Sequence, residues 1–392
     1  MTRRICFVTG TRAEYGLLRG VLEVVRDEPG FELQLLATGS HLSPEFGLTY
    51  REIEADGFRI DSKVEILLSS DTPTGTAKSM GLAMIGFADA LATLSPNLIV
   101  VLGDRFEIFA AAAAALVARI PIAHIHGGEI TEGAFDDALR HSISKLAQLH
   151  FVAADSYRQR VIQLGEDPER VFTVGGLGVD AIARVNLMTR SELESSLGFR
   201  FRERNLLVTY HPATLDEAGA EQQMAALLTA LGELNDVGVV ITLPNADAGG
   251  RALMQQIRDF VAPRVNAVAF ASLGLRRYLS CMAQVDGVVG NSSSGLLEAP
   301  ALRKGTVNIG DRQQGRLKAA SVIDCAADAE AIGTAIARLF SEPFQSTLAH
   351  VANPYGDAGA SGKIVEVLRR TDFRALIKKR FYDLPDCVLG KR

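Results

Sequence analysis

The amino-acid sequence predicts an α/β protein built from two Rossmann-like, doubly wound parallel-sheet domains. Three observations carry this. Short apolar, β-branched runs alternate with helical periodicity along most of the chain. Each run ends in a polar, usually glycine-containing loop, and the pattern restarts at Leu206 after a polar stretch near Asp180–Gly198 that holds no strong strand. At 392 residues the chain also exceeds the size at which one core keeps growing. The expected division is residues 1–178, completed by a C-terminal helix over 363–392, and residues 179–362.

In chain order, Ile5–Thr9 reads as a strand ended by Gly10-Thr11-Arg12, with a helical pattern through Leu17, Leu18, Val21 and Leu22. This loop is neither a Walker A sequence nor a GxGxxG. Arg12 sits where a guanidinium and a helix N-terminus could hold a phosphate, or it caps and pairs locally. Phe31–Ala37 is a second strand, followed by His41, either a surface cap or a ligand contact. Met80–Leu94 reads as a helix, and Leu98–Leu102 as a buried parallel strand ending in Gly103-Asp104-Arg105. Phe106–Val117 is an alanine-rich helix, Ile122–Ile125 a strand, and Asp136–Leu146 a helix with acids in its first turn. Phe151–Ala153, Ser156–Leu164 and Val171–Val174 complete the first half.

The second half reads as strands Leu206–Tyr210, Val237–Leu243, Val268–Phe270, Gly287–Val289 and Thr306–Ile309. The expected helices are Glu221–Leu234, Leu273–Gln284, Ala329–Leu339 and Gly362–Leu376. Two such domains facing a central cleft make the GT-B layout of nucleotide-sugar enzymes, by fold-level analogy.

Composition narrows the class. Hydrophobic residues are 47% and charged residues 22% of the chain, ordinary for a globular protein. A net charge of −5 argues against non-specific nucleic-acid binding, so an anionic ligand must be met by locally placed cations and helix N-termini. The basic run Lys378, Lys379, Arg380 is expected on a solvated helix face. The four cysteines, Cys6, Cys281, Cys325 and Cys387, show no CxxC or zinc spacing, which fits a reducing cytoplasm, with Cys6 and Cys281 as small core residues. The N-terminus lacks a signal-peptide core, and no apolar run is expected to span a bilayer.

The chemistry concentrates between Val100 and Lys145, where three of the seven histidines and several acids crowd into strand ends and loops. Open α/β sheets keep their ligand sites beyond the carboxyl ends of their strands. His124, His126 and Glu129 invite a metal reading, but the helical HExxH spacing is absent.

The ordered set GTRAEYG, GDR, HIHGGE, GAFDDALRHSISKL, YHPAT, LPNAD, GNSSSGLLEAP and GDRQQGR resembles the hydrolysing UDP-N-acetylhexosamine 2-epimerases of sialic-acid and legionaminic-acid synthesis. The resemblance spans roughly residues 4–320. It implies elimination of UDP across C1–C2 to a 2-acetamidoglycal, then addition of water with inversion at C2. The products are UDP and a free 2-epimeric sugar, with no cofactor and no metal. A dimer or tetramer is implied, with the apolar helices Met80–Leu94 and Phe106–Val117 as candidate interfaces; no nucleic-acid or membrane partner is implied.

That chemistry accounts for the residue types. A pyrophosphate leaving group needs cations and dipoles, which Arg12, His211 and the loop Asn291, Ser292, Ser293, Ser294, Gly295 can supply. The serines read alternatively as an ordinary helix cap. By resemblance Glu298 contacts the ribose, Arg312 the nucleotide, and Asn245 and Arg105 further parts of the ligand. Moving a proton between the two faces of C2 needs acid–base groups on both sides, and the candidates are Asp104, Glu129 and Asp136, with His211 from the opposite domain. Asp104 and Asp136 match two of the family's three carboxylates. The third position, Glu in the HIEGGE of many relatives, is His126 here, and Glu129 matches the motif's second Glu. Either His126 or Glu129 takes the third role, and Arg140 is expected to orient a carboxylate. The HIHGGE and EGAFDD spellings look like the legionaminic-acid branch, whose substrate is UDP-N,N′-diacetylbacillosamine. The rival readings are the same reaction on UDP-GlcNAc, a GT-B glycosyltransferase, a non-hydrolysing epimerase and a nucleotide-sugar-binding protein with a decayed site.

Overall fold

The computed structural model describes residues 2–70, 72–132, 134–211, 219–244 and 250–385. The chain forms two compact units. The first comprises Met1–Glu129, Asp136–Ala181 and Gly356–Arg392, and the second Ile130–Phe135 and Ile182–Tyr355. The six-residue segment between Glu129 and Asp136 thus counts with the second unit, held there by Glu132 N–H on Gln314 O (3.3 Å) and by Ile130 against Gly315.

The first unit contains strands β1 (Arg3–Thr9), β2 (Phe31–Thr38), β3 (Ser62–Val64), β4 (Leu98–Leu102), β5 (Ile122–Ile125), β6 (Leu149–Val152) and β7 (Val171–Thr173). They form one parallel sheet in the order β3-β2-β1-β4-β5-β6-β7. Alternate residues leave opposite faces. Ile5, Phe7, Leu35, Val100 and Ile125 pack under the helices Arg12–Asp27 and Ala360–Arg370. Cys6, Val8, Leu36, Ile99 and Val101 pack against Pro73–Leu94, Phe106–Val117 and Asp136–Leu146. Five buried alanines, Ala110, Ala111, Ala112, Ala114 and Ala115, let the second of these lie close to the sheet. Gly359 N–H and Ser361 N–H and O–H donate to the buried Asp180 carboxylate, which fixes the start of Ala360–Arg370.

The second unit contains β8 (Arg204–Thr209), β9 (Val237–Thr242), β10 (Ala267–Phe270), β11 (Gly287–Gly290), β12 (Gly305–Ile309) and β13 (Val322–Cys325), in the order β10-β9-β8-β11-β12-β13. Leu206, Val208, Ile241, Val289 and Val307 build one core, while Leu207, Val240, Val288, Cys281 and Met282 build the other. Cys6 and Cys281 are buried core residues whose thiols burial pushes up to about 12. Cys387 lies outside the described residues.

Four expectations need correction. The helix expected over Met80–Leu94 begins at Pro73, where Thr72 caps it by accepting from Gly75 N–H at 3.1 Å. Its 22 residues are long and apolar enough to cross a membrane by length and composition, contrary to expectation. Here it buries Ala83, Phe87, Ala90 and Leu91 in the core. The expected helix Gly362–Leu376 stops at Arg370, and a separate 3₁₀ turn, Phe373–Leu376, starts where Asp372 accepts from Arg374 N–H at 3.0 Å. The basic run beyond it is not helical, and Lys379 turns inward onto the first unit.

Candidate active site

Each sheet places some of its candidate residues at the point where strand order reverses. In the first unit this lies between β1, followed by Arg12, and β4, followed by Asp104. In the second it lies between β8, followed by His211, and β11, followed by Asn291.

In the first unit Arg140 is the organiser. Its side chain is 1% exposed, yet it stands one turn into a helix whose first turn carries Asp136 and Asp137. Nη2 donates to Asp104 Oδ2, and Nη1 donates to Glu129 O (3.0 Å) and Asp137 Oδ1 (3.2 Å). One planar fork therefore ties the end of β4, the loop after β5 and the start of the helix. Asp104 keeps 22% of its side chain exposed, so it is held without being sealed off. Arg105 points back to the buried Glu107, its Nε 2.7 Å from Oε1. Arg12 opens its helix behind Thr11, which accepts from Glu14 N–H at 3.3 Å.

His126 follows β5 with φ +64°, a left-handed conformation that few side chains adopt. Leu177 N–H donates to its Nε2 at 3.3 Å, so that nitrogen must present a lone pair. The proton of the neutral ring then belongs on Nδ1, which stands 3.1 Å from Glu129 Oε1. His126 thus accepts from Leu177 on one side and turns Nδ1 toward Glu129 on the other.

His41 departs from both expectations. It is fully buried, with Nε2 at 3.1 Å from Thr9 Oγ1 and Nδ1 at 2.8 Å from Thr49 Oγ1. It is neither a surface cap nor a ring offering a nitrogen to a ligand, and burial lowers its pKa to about 4. His124 is equally committed, to Gly103 O (2.7 Å) and Ser144 Oγ (3.1 Å), and burial lowers it to about 3. Among the described residues, no group of three or more His, Cys, Asp or Glu is arranged to hold a metal.

In the second unit Asn291 bridges the backbone of His211, accepting from its N–H (2.7 Å) and donating to its carbonyl (2.8 Å). Arg312 Nη1 and Gln313 Nε2 donate to Asn291 O at 2.9 and 2.8 Å. The serine loop is a compact hydroxyl cluster: Ser294 Oγ contacts Ser292 Oγ at 3.1 Å and Tyr278 Oη at 2.5 Å. Ser293 precedes a helix of only four residues, Ser294–Leu297, so its dipole is slight, and the hydroxyls and loop N–H groups are what could meet an anion. Gly295 packs against Thr306, and the buried Glu298 follows one turn on. Asn245 lies outside the described residues.

Gln313, Tyr278 and Arg160, which donates to Gly128 O, also hold these loops and carry no signal in the sequence. Each reaches its loop from another element, so no local spacing marks it.

The description "UDP-N-acetylglucosamine 2-epimerase" belongs to the family model that matches residues 23–369. The chain is 39% identical over 384 residues (97% of this chain, 99% of the relative) to GDP/UDP-N,N'-diacetylbacillosamine 2-epimerase (hydrolyzing) of Campylobacter jejuni. It is 36% identical (98% and 99% covered) to polysialic acid biosynthesis protein P7 of Escherichia coli. It is 34% identical (94% and 96% covered) to UDP-N,N'-diacetylbacillosamine 2-epimerase (hydrolyzing) of Legionella pneumophila. Among solved structures, UDP-GlcNAc 2-epimerase from Neisseria meningitidis superposes with a TM-score of 0.80 at 18% identity, covering 94% of this chain and 100% of that one. The fold is GT-B-like, with two parallel-sheet α/β domains.

Proposed function

The chain belongs to the UDP-N-acetylglucosamine 2-epimerase family, and on that premise we propose that it is a hydrolysing 2-epimerase. Its proposed substrate is UDP-2,4-diacetamido-2,4,6-trideoxyglucose (UDP-N,N′-diacetylbacillosamine). A base removes the C2 proton, the electron pair forms the C1–C2 double bond, and the C1–O bond to UDP breaks. Water then delivers hydroxyl to C1 while an acid returns a proton to C2 from the other face.

The observation that carries this reading is the Arg140 fork, which gathers Asp104, the Glu129 backbone and the acidic helix start. Such a set supplies acid–base groups for C2 without a cofactor. Glu129 is assigned the third role, because His126 gives Nε2 to Leu177 and faces Glu129 with Nδ1. The second unit's Asn291–Gly295 loop, His211, Glu298 and Arg312 are assigned to UDP, with Arg12 and Arg105 as further ligand contacts.

The substrate assignment draws on the names of the Campylobacter and Legionella relatives and on His126 in place of a carboxylate. The family description together with the Escherichia relative's polysialic-acid name favours a second reading, the same reaction on UDP-GlcNAc in a sialic-acid pathway. We further infer a place in nonulosonate synthesis and a cytoplasmic location, consistent with the free thiols of Cys6, Cys281 and Cys325. Self-association through the exposed Leu82, Ile85, Leu116 and Val117 is part of the same reading.

The test presents both UDP-sugars and follows products by proton NMR. UDP plus a free 2-epimeric sugar, formed faster from the diacetamido substrate, is the expected result. Faster UDP release from UDP-GlcNAc overturns the substrate. A returned UDP-sugar, or release that requires an acceptor, overturns the reaction.

A further inference from the structure

We propose that Lys379, in the C-terminal segment, is a positioning residue: its ammonium caps the end of helix Asp136–Leu146 and fixes the frame from which Asp136 and Arg140 act. The inference rests on the function proposed above.

A helix ends with carbonyls that lack intrahelical partners. Here Leu146 is followed at once by Ala147, and β6 begins at Leu149, which leaves no glycine to turn the chain and satisfy them. Lys379 Nζ takes that place, donating to Lys145 O (2.6 Å) and Ala147 O (2.6 Å), with Ser144 O at 3.4 Å. A cation at a helix C-terminus also complements the helix dipole.

The lysine is itself clamped. Glu166, nearly fully buried, receives Lys379 Nζ at 2.6 Å on Oε2, His150 Nε2 at 2.9 Å on the same oxygen and Lys145 Nζ at 2.6 Å on Oε1. Burial works to raise the Glu166 carboxyl, but these three donors outweigh it and hold the pKa below the usual value. The segment is anchored by Tyr382 N–H on Gly165 O (2.9 Å) and by the Phe381 ring over Gly165, where a Cβ would stand 2.4 Å from the ring.

The same helix carries the cap to the site. Ser144, whose carbonyl Lys379 reaches, donates Oγ to Arg140 O (3.2 Å) and touches His124 Nδ1 (3.1 Å). His124 in turn reaches Gly103 O (2.7 Å), beside Asp104. A helix of 11 residues moves nearly as a rod. A slip at its capped end therefore displaces the Arg140 fork, and a misplacement of about 1 Å costs on the order of 10²-fold in rate.

The experiment compares wild type, Lys379→Met and Lys379→Arg for kcat, UDP affinity, pH profile and amide hydrogen exchange in the helix. Lys379→Met should lower kcat by about 10- to 100-fold, leave the Kd for UDP within about twofold and lose protection in the helix's last turn; Lys379→Arg should restore both kcat and protection. The charged groups facing Lys379 are Glu166, Lys145, Arg170 and, through Glu166, His150. Burial, with Lys145 and Arg170, lowers its pKa to about 8 despite Glu166, so wild-type kcat should fall above about pH 8 and Lys379→Arg should move that limb upward. Wild-type kcat and protection in a folded Lys379→Met protein overturn the inference, as does an alkaline limb unchanged in Lys379→Arg. Should Lys379→Met not fold, Phe381→Ala, which loosens the segment and spares every charge, must show the same split between kcat and UDP affinity. A wild-type protein that releases no UDP sinks the proposed function instead, and hydrogen exchange then decides the cap alone.

Discussion

Arg140 and Asp104 form a charge-assisted contact in which the arginine is buried and the carboxylate is not. The guanidinium side chain is 1% exposed, the Asp104 side chain 22%. The cation is fixed by Glu129 O and Asp137 as well, so it positions Asp104 without moving to meet it. Asp104 thereby keeps an exposed face while its Oδ2 is held.

Arg140→Lys keeps the charge but loses the planar fork, and a lysine cannot reach Asp104, Asp137 and Glu129 O together. We expect kcat to fall about 10- to 100-fold with a small loss of stability. Arg140→Ala should in addition cost about 1–3 kcal/mol in urea unfolding, because the buried Glu129 carbonyl loses its donor. A wild-type kcat in Arg140→Lys would show that the fork does not set the geometry.

His126 and Glu129 can be separated by paired substitutions. If Glu129 moves the proton and His126 orients it, Glu129→Gln should lose about 10²- to 10⁴-fold in kcat. His126→Gln should lose far less. The reverse ranking, measured under substrate saturation, would hand the acid–base role to the histidine.

Glu14 predicts a pH dependence of stability. It is buried with Oε2 on Gly10 N–H at 2.8 Å, and burial, aided by the nearby Glu107, raises its pKa from 4.5 to about 8 despite that bond. The folded protein therefore keeps a proton that the unfolded chain releases. The associated stability is complete below about pH 4.5 and is lost as pH rises toward 8. The slope is at most about 1.4 kcal/mol per pH unit. Glu14→Gln imitates the protonated acid, so its melting temperature should change less than wild type's between pH 5 and 8 on a shared buffer series (roughly three units of window). Parallel slopes would mean that Glu14 is ionised in the folded protein.

Much of this was legible in the sequence where local signals are strong. Leu98–Leu102, Phe106–Val117, Ile122–Ile125 and Asp136–Leu146 begin and end where their patterns do, because strands buried on both faces are apolar throughout and the turns between them carry Gly103 and Pro121. The edge strands Ser62–Val64 and Val322–Cys325 escaped, since short, half-exposed edges carry no apolar run. The helix Gly250–Val261 was also missed. Asp104, Glu129 and Asn291 stand out as polar groups past strand ends, and Asp136 as an acid at a helix start. His41 did too, but two threonines from other parts of the chain claim its ring, which no spacing reveals. Lys379 was hidden for the converse reason: a basic run looks solvated until its partner carbonyls are known.

Gly290 ends β11 just before the Asn291 loop, with φ +137°. A Cβ there would lie 2.0 Å from the carbonyl oxygen of Thr209 on the neighbouring β8. That atom is backbone, and the same carbonyl accepts from Asn291 N–H, so it cannot step aside without moving the bridge to His211. Gly290→Ala should therefore destabilise the protein by several kcal/mol, on the order of 3, and any folded fraction should bind UDP more weakly. Gly333 is the matched control. It lies within the helix Ala329–Phe340 with nothing within 4 Å of a Cβ, so Gly333→Ala should stabilise by about 0.5–1 kcal/mol and leave UDP affinity alone. Urea unfolding and UDP titration calorimetry on the two variants measure both effects. A Gly290→Ala protein as stable as wild type, with unchanged UDP affinity, would mean that the close approach of β8 and β11 does not set the loop.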